Sequence, residues 1–236
     1  MRKVIGEDAI LILCLVTFLL FMFMGLKFPL TWSSIWQIPS YQMNTFKMIA
    51  LNLPWLGVSF YHFVKMRASF EESFILTILR LGVIKRICWR YNVRLMRASV
   101  MVVIGYVGLA EFIAVVLKGK WLAMDQWNIW APVLMLTLAF SIGLSQLVIS
   151  IFVDTRVGLL VQSCYSLFSI IVARLLVLDS HAQLGVQIFF WPQWLTTVRL
   201  VNLHYSGVMM AMGMVIIILV LELALYIAVR RKDWLG

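Results

Sequence analysis

Apolar residues fill most of the chain, and short polar breaks divide them into six runs long enough to cross a bilayer. A span needs roughly 20 apolar residues to cover about 30 Å of hydrocarbon. The runs fall at about 9–26, 48–64, 98–117, 130–153, 157–178 and 207–229. Pro54 is placed to kink the second, Asp154-Thr155-Arg156 forms a tight turn between the fourth and fifth, and Arg230-Arg231-Lys232-Asp233 follows the sixth. One long interval, 65–97, breaks the pattern, because charge recurs there every few residues. Inside it Phe74, Ile75, Ile78, Leu79 and Leu81 follow helical spacing, and Gly82 is placed to end that helix. A second helical pattern starts at Ile84 and puts Arg86, Arg90, Arg94 and Arg97 on one face. The pattern therefore predicts a basic, two-helix elbow between the second and third spans. Such an elbow suits docking to a partner, although a bare retention signal would also place basic residues there.

Composition agrees with the pattern. The chain is 63% hydrophobic and 13% charged, with a mean hydropathy of +0.98. Soluble domains run about 45–50% apolar and about 25% charged, so an all-α membrane protein is expected, as a single transmembrane domain over 1–236. In a soluble protein the net charge of +10 would suggest nucleic acid. Here it follows from the preference of cytoplasmic loops for Lys and Arg, and no nucleic-acid partner is expected. With the N-terminus inside, cytoplasmic segments hold fourteen of the twenty Lys and Arg residues, eight of them in the elbow. Both termini are thus expected in the cytoplasm. Glu7 and Asp8 interrupt the basic start and no small-residue cleavage site follows Leu26, so the first run reads as a retained span. Cys14, Cys88 and Cys164 lack the spacing of a disulfide framework or a metal site. Aromatic loops, with Trp32 and Trp36 after the first span and Phe189 to Trp194 before the sixth, suit a membrane interface.

Three charges fall within spans: Glu111, Arg174 and Glu222. Each costs roughly 2.5–3.5 kcal/mol on insertion scales unless paired or hydrated. Glu111 and Arg174 share the outer half of the membrane and could pair, whereas Glu222 lies in the inner half, nearer Arg156 and Gln162. Two readings stand: a structural ion pair with a snorkelling acid, or a polar point on a substrate path. Small residues cluster as well, with Ser141, Gly143, Ser145 and Gln146 on the fourth span and Ser163, Ser166 and Ser169 on the fifth. This spacing favours close helix packing over a polar groove.

Enzyme signatures fail. Glu71-Glu72 would open the EExxxR motif of intramembrane proteases, but Leu76 stands where arginine is required. Gly143-Leu144-Ser145-Gln146 is not a GxSG motif, and His62, His181 and His204 are too scattered for a metal site. Gly119-Lys120 is followed by Trp121, so no phosphate-binding GxxxxGK[ST] loop exists. No catalytic residue is expected, and any nucleotide energy would come from another chain.

Six spans with a long cytoplasmic elbow after the second resemble the membrane subunit of an ABC-2 type, exporter-like ABC transporter. The likeness rests on Phe70-Glu71-Glu72-Ser73-Phe74-Ile75-Leu76-Thr77-Ile78-Leu79-Arg80-Leu81-Gly82, followed by Arg86 and Arg90. It also draws on the aromatic segment Phe189–Trp194 and the basic ending, so it covers nearly the whole chain as layout and weak motif. The resemblance implies that the first elbow helix is a coupling helix docking into a separate ATPase. Glu71, Glu72, Phe74, Ile75, Ile78, Leu79, Arg80 and Leu81 would make that contact. Arg86, Arg90, Arg94 and Arg97 would form an interfacial basic anchor. It further implies ATP and Mg on the partner, a homodimer or a heterodimer with a second permease, and a bacterial plasma membrane. The family often begins with an amphipathic connecting helix, for which the eight residues before the first span leave little room. The expected function is export of an amphipathic or hydrophobic substrate such as a membrane-active peptide. The rival is a non-transporting immunity or sensor protein whose elbow binds anionic lipid or a signalling partner.

Overall fold

The structure, a computed structural model, describes residues 12, 16, 55–64, 84–122, 130–178 and 207–231. All regular structure among them is helical: α1 over 55–64, α2 at Ile84–Lys118, α3 at Trp130–Phe152, α4 at Thr155–Leu178 and α5 at Gly207–Arg231. The third, fourth, fifth and sixth expected spans thus lie on α2 to α5, and α1 lies in the second. Of the first expected span only Ile12 and Val16 are described, both helical. The first elbow helix, with Glu71 to Leu81, lies outside the described residues.

Segments Arg86–Leu117, Pro132–Phe152 and Met212–Arg231 are long and apolar enough to cross a membrane. α2 goes further than the sequence pattern implied. It contains the basic second elbow helix and the third span in one unbroken helix of 35 residues. At 1.5 Å per residue that is about 52 Å, some 20 Å more than the hydrocarbon needs. No glycine, proline or acidic residue lies between Ile84 and Ile104, so nothing in the sequence ends the helix where the membrane would begin.

α3 is the central element. Of its most apolar window 78% is buried, against 22% for α5, and it packs against α2, α4 and α5. Its glycine and serines explain the close approach. A side chain at Gly143 would lie 2.9 Å from the His62 ring, and one at Gly158 on α4 would collide with Ser150 Oγ. His62 fills the space over Gly143 and donates from Nε2 to the Ala139 carbonyl at 3.2 Å. Ser145 Oγ donates to Gln162 Oε1 at 2.6 Å, tying α3 to α4. Of the small residues singled out from the sequence, Ser145 bonds across the α3–α4 contact and Gly143 faces α1, while the closest α3–α4 approach is made by Ser150 and Gly158.

Two reversals are set by local chemistry. α2 ends at Gly119, whose φ of 66° is open to glycine and whose N–H bonds the Val115 carbonyl at 2.8 Å. The α3–α4 turn is two residues long; Asp154 Oδ1 accepts from the Thr155 N–H at 2.6 Å, and the Asp154 carbonyl opens α4 by accepting from the Gly158 N–H at 2.8 Å.

Candidate functional site

The first four turns of α2 show why one helix is basic on one face and buried on the other. Ile87, Cys88, Tyr91 and Leu95 are buried, while Arg86, Trp89, Arg90, Arg94 and Arg97 are exposed. The buried set recurs at spacings of one, three and four, which is a single helical face. It packs with Phe140, Leu144, Leu147 and Ile151 of α3 and with Leu225, Ala228 and Val229 of α5. These are the N-terminal turns of α2 and the C-terminal turns of α3 and α5. The N-terminal turn of α4 joins them through Gly158 against Ser150. Arg86 to Arg97, Arg156, Arg230 and Arg231 therefore gather at one end of the bundle, and Lys120 lies at the other.

At this basic end Glu222 has a specific partner. Asn92 Nδ2 donates to Glu222 Oε2 at 2.7 Å across the α2–α5 contact, and both side chains are half-buried. Asn92, rather than Arg156 or Gln162, is its described partner; Gln162 is engaged by Ser145. A hydrogen bond to a carboxylate is stronger than a neutral one and stabilises the charge away from water. Glu111 also holds a backbone group. Its Oε2 accepts from the Leu122 N–H at 3.3 Å, which pins the chain after the Gly119 reversal. Arg174 lies on α4, and its side chain is outside the described residues.

On the outer side of α2, Trp89, Arg90, Val93, Arg94 and Arg97 line an open groove of about 350 Å³. Trp89 is 71% exposed, an unusual setting for a side chain of that size in water and an ordinary one at a bilayer surface. Of the expected anchor residues, the groove takes in Arg90, Arg94 and Arg97, and Arg86 stands one turn beyond it.

Asn92, Trp89 and Val93 were not legible as site residues. Asn92 sits among arginines, so it reads as part of a solvated face. The available signal was its phase: Asn92 and Ser99 share the helical side of Tyr91 and Leu95, where polar groups need partners. Chemically, the groove is walled almost wholly by apolar atoms, those of Trp89, Val93 and the arginine stems, and it suits an amphiphile rather than bond making.

These features define an all-helical bundle of the kind that crosses a membrane, with its described basic face at one end. Comparison with protein-family models, with curated proteins and with solved structures returns no match.

Proposed function

We propose that this chain is the transmembrane permease subunit of an ATP-driven ABC exporter, working with a separate ATPase. The observation that carries the reading is the unbroken course of α2 from Ile84 to Lys118. A displacement applied at the elbow enters a rigid helix that reaches the far side of the membrane without a hinge. The Asn92–Glu222 bond and the shared apolar cluster pass the same displacement to α5 and α3. In this reading the Phe74, Ile78 and Leu81 stripe is buried by the ATPase, with Glu71, Glu72 and Arg80 setting its register. ATP and Mg sit on that partner. One copy brings six spans, both termini cytoplasmic, and a second permease copy or homologue completes the path in a bacterial plasma membrane. The substrate is amphipathic or hydrophobic, a membrane-active peptide being the best fit to the aromatic outer loops.

The test is co-purification from membranes. The wild-type chain is expected to bring down an ATP-hydrolysing subunit, and Ile78→Asp, which puts a charge on the docking stripe, is expected to lose it. If no ATPase accompanies the wild type, and Ile78→Asp leaves binding to anionic liposomes intact, the non-transporting immunity or sensor protein replaces this reading.

A further inference from the structure

The groove on α2 continues into an apolar track, and the combination matches one kind of molecule. Arg90, Arg94 and Arg97 lie at spacings of four and three, about 10 Å from first to last along the axis. The same face runs on through Met101, Ile104, Gly108 and Phe112, all exposed, with Met101 at 64% and Ile104 at 62%. Along this track no heavy atom of the described residues lies within 4 Å of where a side chain at Gly105 or Gly108 would begin. The track is therefore shallow and open beside Met101 and Ile104. No acidic residue is among those lining the basic groove. If residues 98–117 fill the hydrocarbon, Arg97 sits at its edge and Val93 to Arg97 occupy the headgroup layer, roughly 5–7 Å deep on each side.

We propose that Trp89, Arg90, Val93, Arg94 and Arg97 form a binding site for one anionic phospholipid, with its acyl chains lying along Met101, Ile104 and Gly108. The phosphodiester accepts hydrogen bonds from the guanidinium groups, which match phosphate oxygens in pairs. Trp89 and Val93 cover the glycerol region, where an amphipathic ring is favoured. A free phosphate would use the arginines alone and leave the aligned apolar track without a role. A phospholipid uses both. The inference rests on the chain's membrane character and holds whether or not an ATPase docks at the elbow.

Native mass spectrometry of the purified full-length protein, titrated with phosphatidylglycerol or phosphatidylcholine of identical chains, reads the site directly. One phosphatidylglycerol is expected to bind well above phosphatidylcholine. Replacing Arg90, Arg94 and Arg97 together with glutamine is expected to weaken it on the order of 100-fold, from about fivefold per basic residue near an anionic surface. Lys120→Gln, exposed at the opposite end of the bundle, is expected to leave it unchanged. Val93→Glu and Gly108→Trp give independent readings, one placing a carboxylate in the groove and the other blocking the track; both are expected to lose the lipid. Excess inorganic phosphate is expected to leave the lipid bound. The proposal is overturned by equal retention of phosphatidylcholine, by equal loss in Lys120→Gln, or by full binding in Gly108→Trp. Displacement by inorganic phosphate would overturn it too, because the site would then be one for a free anion.

Discussion

Asn92 and Glu222 show how much a single hydrogen bond can carry between two packed helices. A half-buried carboxylate between two helices has to find a donor or draw in water, and Asn92 supplies the donor at 2.7 Å. A hydrogen bond to a charged group contributes about 1.5–3 kcal/mol, so the coupling between Asn92→Ala and Glu222→Ala should fall in that range. Thermal unfolding in detergent, followed by size exclusion for the two single variants and the double, measures it. Additive losses would mean that the two side chains act separately. Asn92→Asp should cost more than Asn92→Ala, because it sets two carboxyl groups against each other, whereas Glu222→Gln keeps a neutral bond. The sequence expects Glu222 as a costly charge within the sixth span, but its bond to Asn92 sets it level with a residue six before the third expected span, so 98–117 and 207–229 do not share an inner edge. It could not identify the partner, because hydropathy locates a residue along the membrane normal and says nothing of how two helices are rotated against each other. The same limit applies to Glu111, whose partner is a backbone N–H eleven residues on, at Leu122. No pattern of side-chain types encodes that contact.

At the scale of elements, the close approach of α3 to α1 and α4 depends on two glycines. Gly143 accommodates the His62 ring and Gly158 accommodates Ser150. Gly143→Ala and Gly158→Ala should each destabilise by about 1–3 kcal/mol, the usual cost of forcing extra atoms into a packed contact. Gly105→Ala and Gly108→Ala on α2 meet nothing within 4 Å among the described residues. They should be neutral or stabilising by about 0.5–1 kcal/mol, as expected when alanine replaces glycine in a helix. The four variants compared by thermal unfolding separate packing from helix propensity; equal behaviour of all four would refute the packing account. Element ends were legible where polar chemistry marks them. Asp154 bounds α3 and α4 within about two residues of the expected limits. α2 was legible only in part. Its arginines lower the local hydropathy and suggest a separate amphipathic piece, yet they occupy one face of a helix whose other face stays apolar from Ile87 through Leu95. Periodicity carried that continuity, and window-averaged hydropathy concealed it.

For the whole molecule, the informative property is where the charges end up. The elbow helix, the α3–α4 turn and the end of α5 are far apart in sequence, but one apolar cluster draws their helix termini together. Arg86, Arg90, Arg94, Arg97, Arg156, Arg230 and Arg231 consequently share one end of the bundle. Counting Lys and Arg by loop expects these same segments on one side of the membrane. Translocating such an end would carry seven guanidinium groups across the hydrocarbon, while retaining it places them beside anionic lipid headgroups. The orientation this implies can be tested in intact cells with a membrane-impermeant maleimide. In a background with Cys14, Cys88 and Cys164 replaced by serine, cysteine at Trp121 beside the Gly119 reversal should label from outside. Cysteine at Arg231 should label only after the membrane is permeabilised. Both positions are exposed, so burial cannot mimic protection. The reverse pattern would place the basic end outside. That result would remove the elbow from any cytoplasmic ATPase and leave the lipid groove as the part of this account still standing.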